Sequence, residues 1–320
     1  MREYLYAILV LTALSPLAAS AQRYPIKPIR VLIGFPPGGG EDFHARTVAS
    51  KLTDLLGQPV IVDHRPGAGG AIAWEQVVKS APDGYTLTIT GGGLTAAPSI
   101  YPKFPFDPAR DLAAVAQFSE HQYMLVAHPS VPATNVKQLI GIAGKSPGKL
   151  NYSSSGIGSM PHLAGALFVS KAKVNVVHVP YKGGSASLID VIAGQCDMTI
   201  GTIPSVQPHV KAGKVRALAV TGGKRARMAP DVPTIAESGL PGYELSSWYG
   251  VFAPAALPAD ILGQLSAAVI KVAGMADVHE RLLQMGSETS PRPTAEFSKR
   301  IRADLTKFAE IARIAGAKVE

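Results

Sequence analysis

Cysteine is nearly absent: Cys196 is the only one in 320 residues. A single thiol excludes an internal disulfide framework and any multi-cysteine metal cluster. Charge is also sparse, with 17% Asp, Glu, Lys and Arg against 47% hydrophobic residues. That balance excludes a disordered chain or a long coiled coil and leaves enough apolar surface for a sizeable core. The 32 glycines have no three-residue period, so collagen is excluded. Downstream of the N-terminal segment no apolar run is long enough to cross a membrane. The chain lacks G-x-x-x-x-G-K-[ST] and H-E-x-x-H, and its eight histidines show no ligand spacing. No metal and no cofactor are therefore expected. Gly91-x-Gly93-x-x-Ala96 has the form of a dinucleotide fingerprint, but Pro98 cuts short the helix that would hold a pyrophosphate. Lys224-Arg225-Ala226-Arg227 is the densest basic cluster. It has no interleaved aromatics and reads as a solvated loop, so no nucleic-acid partner is expected.

What is present begins with an address. Residues 1–21 carry Arg2, an apolar run from Leu5 to Leu14, and the small-residue site Ala19-Ser20-Ala21 before Gln22. This is the form of a cleaved secretory signal. The run is too short to span a bilayer. The length that remains suits two domains. The net charge of +8 favours acidic partners in general, without saying where they bind.

Short β-rich runs then alternate with helical periodicity. Ile29–Phe35, Val60–Val62, Thr86–Thr90, Met124–Ala127, Leu150–Ser153, Val176–Val179, Met198–Ile200, Ala217–Val220 and Tyr249–Ala253 read as strands. Between them lie amphipathic segments, with Asp42 and Ser185 as candidate caps and Gly57 and Gly194 as terminators. The tail, from Ile261 to Val272 and from Phe297 to Phe308, reads as helix. Such alternation indicates an α/β fold with parallel sheets, whose ligands bind beyond the carboxyl ends of the strands.

Two loops sit where strand meets helix: Pro36–Asp42 and Ser153–Ser159. Glycine admits close backbone approach, and a helix start offers unpaired N–H groups with partial positive charge. Together they form an anion site suited to a carboxylate, phosphate or sulfate, with serine hydroxyls as added donors. Ser154 with His162 could also be drawn as a nucleophile and base, although no orienting acid or elbow accompanies them.

Several segments are familiar when taken in order: YPIKPIRVLIGFPPGGGEDFHAR, GQPVIVDHRPGAGG, APDGYTL, PGKLNYSSSGIGS, VHVPYKGG and PDVPTIAESGLPGYELSSWYGVFAPA. Over residues 24–320 the chain resembles the Bug-type periplasmic receptors of tripartite tricarboxylate transporters. The resemblance implies a type II periplasmic-binding-protein fold: two α/β domains, a ligand cleft between them and two hinge crossovers. The crossovers would lie near Met124–His128 and Tyr249–Ala253. Domain 1 would comprise 22–124 plus 250–320, and domain 2 would comprise 125–249. The implied function is capture of a small carboxylate for delivery to membrane permease subunits, by a periplasmic monomer that is not an enzyme. A sensor feeding a signalling partner and an exported serine hydrolase are the alternatives.

Carried over by motif, the ligand-binding residues of domain 1 are Phe35, Pro37, Gly38, Gly39, Gly40, Glu41, Asp42, Thr90 and Gly92. Those of domain 2 are Ser154, Gly156, Ser159, His162, Tyr181, Gly183 and Gly201. Two positions depart from the family pattern. Glu41 stands where a small or hydroxyl residue is usual, and Gly201 stands where many relatives carry Asp. If Glu41 faced the ligand, it would disfavour a second anionic group and attract an amine, which points to an aromatic or amino-bearing monocarboxylate. Otherwise it faces solvent.

Overall fold

The computed structural model describes residues 24–318. The expected signal peptide and its cleavage at Ala21 fall outside the described residues. β1 (Ile29–Ile33) forms because its apolar run packs on both faces, with Ile29, Val31 and Ile33 wholly buried on one and Leu32 buried on the other. It leads into α1 (Gly40–Leu56), which Gly57 ends at φ +68 with its N–H on the Thr53 carbonyl. β2 (Val60–His64), α2 (Ala71–Val78), β3 (Thr86–Gly91) and α3 (Gly93–Ile100) follow. Pro98 lies inside α3, which stops two residues later. α4 (Pro108–Asp111) is one turn capped by Asp107.

β4 (Leu112–Ala127) is 16 residues long and absorbs the strand expected at Met124–Ala127. Then come α5 (Val136–Lys145), β5 (Asn151–Ser154), α6 (Met160–Ala172), β6 (Val177–Pro180), α7 (Gly184–Ile192), β7 (Met198–Thr202), α8 (Ile203–Lys211) and β8 (Arg216–Val220). β9 (Ser246–Pro254), α9 (Ala259–Ala273), α10 (Ala276–Gln284), β10 (Ser287–Pro293) and α11 (Thr294–Ala315) complete the chain.

The strands form two α/β halves joined through β4. One half has the order β2-β1-β3-β9-β4 with β10 outside it; in the other β4 lies between β8 and β7-β5-β6. The pairs β1–β2, β1–β3, β5–β6 and β5–β7 are parallel. Residues Leu112 to Gln122 of β4 pair with β9, and Tyr123 to Ala127 pair with β7. The first crossing therefore lies at Gln122/Tyr123. The second lies at Leu245/Ser246: the Leu245 N–H donates to Thr221 of the second half, while Ser246 already pairs with Gln122 in the first. That is upstream of the expected Tyr249–Ala253, because this apolar stretch is the interior of β9 and the chain crosses on the polar pair Ser246-Ser247.

The register fixes where the two halves face each other. β9 is antiparallel to β3, with Tyr249 opposite Gly91, so the crossing leaves the first half at the carboxyl end of β3. In the second half Tyr123 pairs with Thr202, so the crossing enters at the carboxyl end of β7. Both sets of strand-to-helix loops thus confront one another across the crossings. α11 spans the junction: Phe297 and Ile301 pack in the first half, and Phe308, Ile311 and Ala312 pack in the core of the second.

Candidate functional site

In the second half, three helices begin at the carboxyl ends of neighbouring strands. α6 is capped by Ser159, whose hydroxyl accepts the His162 N–H at 3.3 Å. α7 starts after Gly183 and α8 after Thr202, neither with a side-chain cap bond. Ser185, expected as the cap of α7, is instead inside its first turn, because Gly183 at φ +117 supplies the turn of the chain. A cavity of about 410 Å³ lies at this convergence. Hydroxyl-bearing residues, among them Tyr123, Ser155, Ser159, Ser185, Thr202 and Ser205, line it, with Ile200, Gly201, Leu188 and Val206 among its apolar walls. Among the described residues no Lys, Arg, Asp or Glu lines it. Unpaired amides and helix dipoles aimed at a cavity without counter-ions suit an anion.

Of the expected residues, Ser159 and Gly201 line this cavity. Gly156, at φ +130, lets the loop pass the Tyr181 carbonyl, which a Cβ would meet at 3.1 Å. The Tyr181 hydroxyl is engaged with Asp190 at 2.6 Å and with Cys196 at 3.4 Å. Ser154 and His162 lie one layer behind. Ser154 is wholly buried, and its Oγ lies 2.7 Å from His178 Nε2 rather than bonded to His162. The two imidazoles stack with ring centroids 3.9 Å apart. Burial pushes both down to about 4, so both are neutral at pH 7, and His162 Nδ1 accepts the Gly158 N–H at 3.1 Å. These groups brace the serine loop, and Ser154 and His162 do not form the hydrogen bond of a nucleophile and its base.

In the first half the β1–α1 loop leaves Phe35, Pro37, Gly38 and Gly39 exposed and Gly40 half-buried. Gly39 is the N-cap of α1 and makes no side-chain cap bond. Asp42, expected as the cap, sits inside the first turn and reaches back to the Gly38 N–H at 3.0 Å. Its other oxygen takes Arg46 and His64, each at 2.8 Å. Burial raises the Asp42 carboxyl, but the Gly38 N–H, His64 and Arg46 outweigh it and hold it below the ordinary range. Glu41 is turned away from solvent. Only 6% exposed, it accepts the Gly34 N–H at 2.9 Å and the Thr90 hydroxyl at 3.0 Å. Thr90 is thereby a support for Glu41.

Gly92, the N-cap of α3, donates its N–H to Ser247 Oγ at 3.3 Å. Ser247 pairs along the strand with His121, whose Nε2 lies 3.2 Å from the Tyr123 phenol at the edge of the cavity. The α3 start is thus tied to the second half through the crossing strands. Beneath α1, Tyr249 stacks on His44 at 3.9 Å and on His121 at 5.3 Å.

Sequence reasoning missed Thr202 and Ser205, since this loop carries no glycine after Gly201. Its signal was Pro204 just inside a helix start, preceded by a threonine. A larger cavity, about 790 Å³, lies behind the crossings against β10 and α11. Its charges are balanced and partly spent, as in the Glu120–Arg300 pair at 2.9 Å. None of the strand-to-helix loops named from the sequence opens into it. Among the described residues no cluster of His, Cys, Asp and Glu could hold a metal ion.

Residues 44–316 match the model of the tripartite tricarboxylate transporter family receptors. Protein BugT of Bordetella pertussis is 32% identical over 327 aligned positions, covering 100% of this chain and 99% of that protein. Among solved structures, R. palustris Rpa4515 with adipate superposes with a TM-score of 0.79 at 34% identity, covering 92% of this chain and all of that one. MatC from Rhodopseudomonas palustris with bound malate superposes with a TM-score of 0.74 at 30% identity, covering 90% and 99% of the two chains.

Proposed function

The chain belongs to the Bug-type receptors of the tripartite tricarboxylate transporters, and from that footing we propose that it captures a small carboxylate between its two halves. Receptors of this family bind solutes and are not enzymes, and the periplasm is where they work. The observation that carries the proposal is the convergence of three helix starts on a hydroxyl-lined cavity with no charged side chain. A carboxylate there takes its donors from Ser159, Ser185 and the amides of α7 and α8. The uncapped start of α1 closes over it from the opposite half. Adipate in one neighbour and malate in another support the ligand class.

With both oxygens bonded to Gly34 and Thr90, Glu41 offers an amine on the ligand no direct hydrogen-bond partner. Domain 1 is taken as 22–124 plus 250–320 and domain 2 as 125–249, with the limits drawn in to the sheet changes at Gln122/Tyr123 and Leu245/Ser246. The protein acts as a monomer, its export signal removed, and hands its ligand to membrane permease subunits. Thermal unfolding of the mature protein against adipate, malate, citrate and benzoate tests the ligand class. A ligand at a hundred times its Kd adds about 2.7 kcal/mol of stability. A rise in Tm with one or more carboxylates is expected; no rise with any would contradict it.

A further inference from the structure

We propose that Glu41 makes ligand capture proton-linked: the receptor takes up a proton from solvent onto Glu41 as the carboxylate binds. This rests on carboxylate capture at the start of α1. Glu41 belongs to the first turn of that helix, and its own N–H is one of the free amides there. A ligand oxygen on these amides would lie within about 8 Å of the Glu41 carboxyl, given one hydrogen-bond length plus the reach of the side chain. Two like charges at that separation, in a site with an effective dielectric of about 20, weaken affinity roughly thirtyfold. Protonation removes the repulsion.

The surroundings of Glu41 accept either state. The Gly34 N–H needs an acceptor on Oε1, and the carboxyl supplies one in both forms. Oε2 faces the Thr90 hydroxyl at 3.0 Å, which donates to a carboxylate and accepts from an acid by turning its proton. Burial pushes the carboxyl up to about 7, against the pull of Gly34 and Thr90. The buried ring groups beside it, Tyr249, His44 and His121, stay neutral near pH 7. Burial raises the Tyr249 phenol, and it pushes His44 down to about 4 and His121 to about 3. Asp42, Arg46 and His64 form a separate bonded cluster on the same turn.

The test is calorimetry of the mature protein with adipate, malate and benzoate. Titrations run at pH 7.5 in two buffers of different ionisation enthalpy, and between pH 6.5 and 8.5, where ligand carboxyls stay ionised. For a probe that binds, wild type should take up roughly half a proton or more and lose about tenfold in affinity across the range. Glu41→Gln should take up none and hold one affinity throughout. Wild-type binding without proton uptake overturns the proposal, with no variant needed. So does a pH dependence that survives in Glu41→Gln, which would place the coupling elsewhere. If none of the probes binds at pH 6.5, carboxylate capture itself fails, and the proposal falls with it.

Discussion

Single residues decide the chemistry of the cleft by where they point. Gly201 is a floor position: a Cβ there would meet Val206 Cγ1 at 2.6 Å. Gly201→Ala should therefore cost about 1–3 kcal/mol in urea unfolding, as overpacking does; an unchanged midpoint would contradict that packing. The buried histidines carry a second prediction. Burial pushes His44, His162 and His178 down to about 4 and His121 to about 3. A lowered histidine contributes stability that is present above its ordinary value near 6.5 and lost as pH falls through the lowered value. Glu41, raised to about 7, works the other way, contributing stability below its ordinary 4.5 that is lost as pH climbs to about 7. Four histidines outweigh one carboxyl, so Tm should fall between pH 6.5 and 4. A flat or rising Tm over that interval would contradict their burial as neutral rings.

Helix starts are the elements that make the site. Ser159 both caps α6 and lines the cavity, so Ser159→Ala should cost about 1 kcal/mol of stability and also weaken carboxylate binding. A loss of stability with affinity intact would remove Ser159 from the site. The elements most legible in the sequence were those with one dominant signal. β1 and β3 are β-branched runs ending at glycine, and α1 is an amphipathic stretch closed by Gly57. β10 was illegible because SETSPRP carries no apolar alternation; it exists because β4 offers it backbone partners. The first part of β4 was hidden by Gln117, Ser119, Glu120, His121 and Gln122, polar residues that a strand reading discounts. Two of the site's loops were legible from glycine and serine, whereas the inward turn of Glu41 depends on Gly34 and Thr90 meeting it from other segments. Local pattern does not encode such a meeting.

At the scale of the molecule, two halves face each other across two strands, and α11 ties them together. Glu120 on one crossing and Ser246 on the other share the Arg300 guanidinium of α11, at 2.9 and 3.2 Å. The chain passes between the halves at Gln122/Tyr123 and Leu245/Ser246, and α11, packed in both cores, is a third link across them. Solution scattering should show the radius of gyration shrink when a carboxylate binds. Phe308→Ala, which empties a buried site of α11 in the second half, should cost about 3–5 kcal/mol. The most direct test of carboxylate capture is a crystal structure with the ligand that raises Tm most. The expected result places a ligand carboxylate between the halves, its oxygens about 2.7–3.2 Å from donors at Ser159, Ser185 or Thr202 and facing the amides at the start of α1. A ligand seated instead in the cavity behind the crossings, against Arg292 and Lys299, would contradict it.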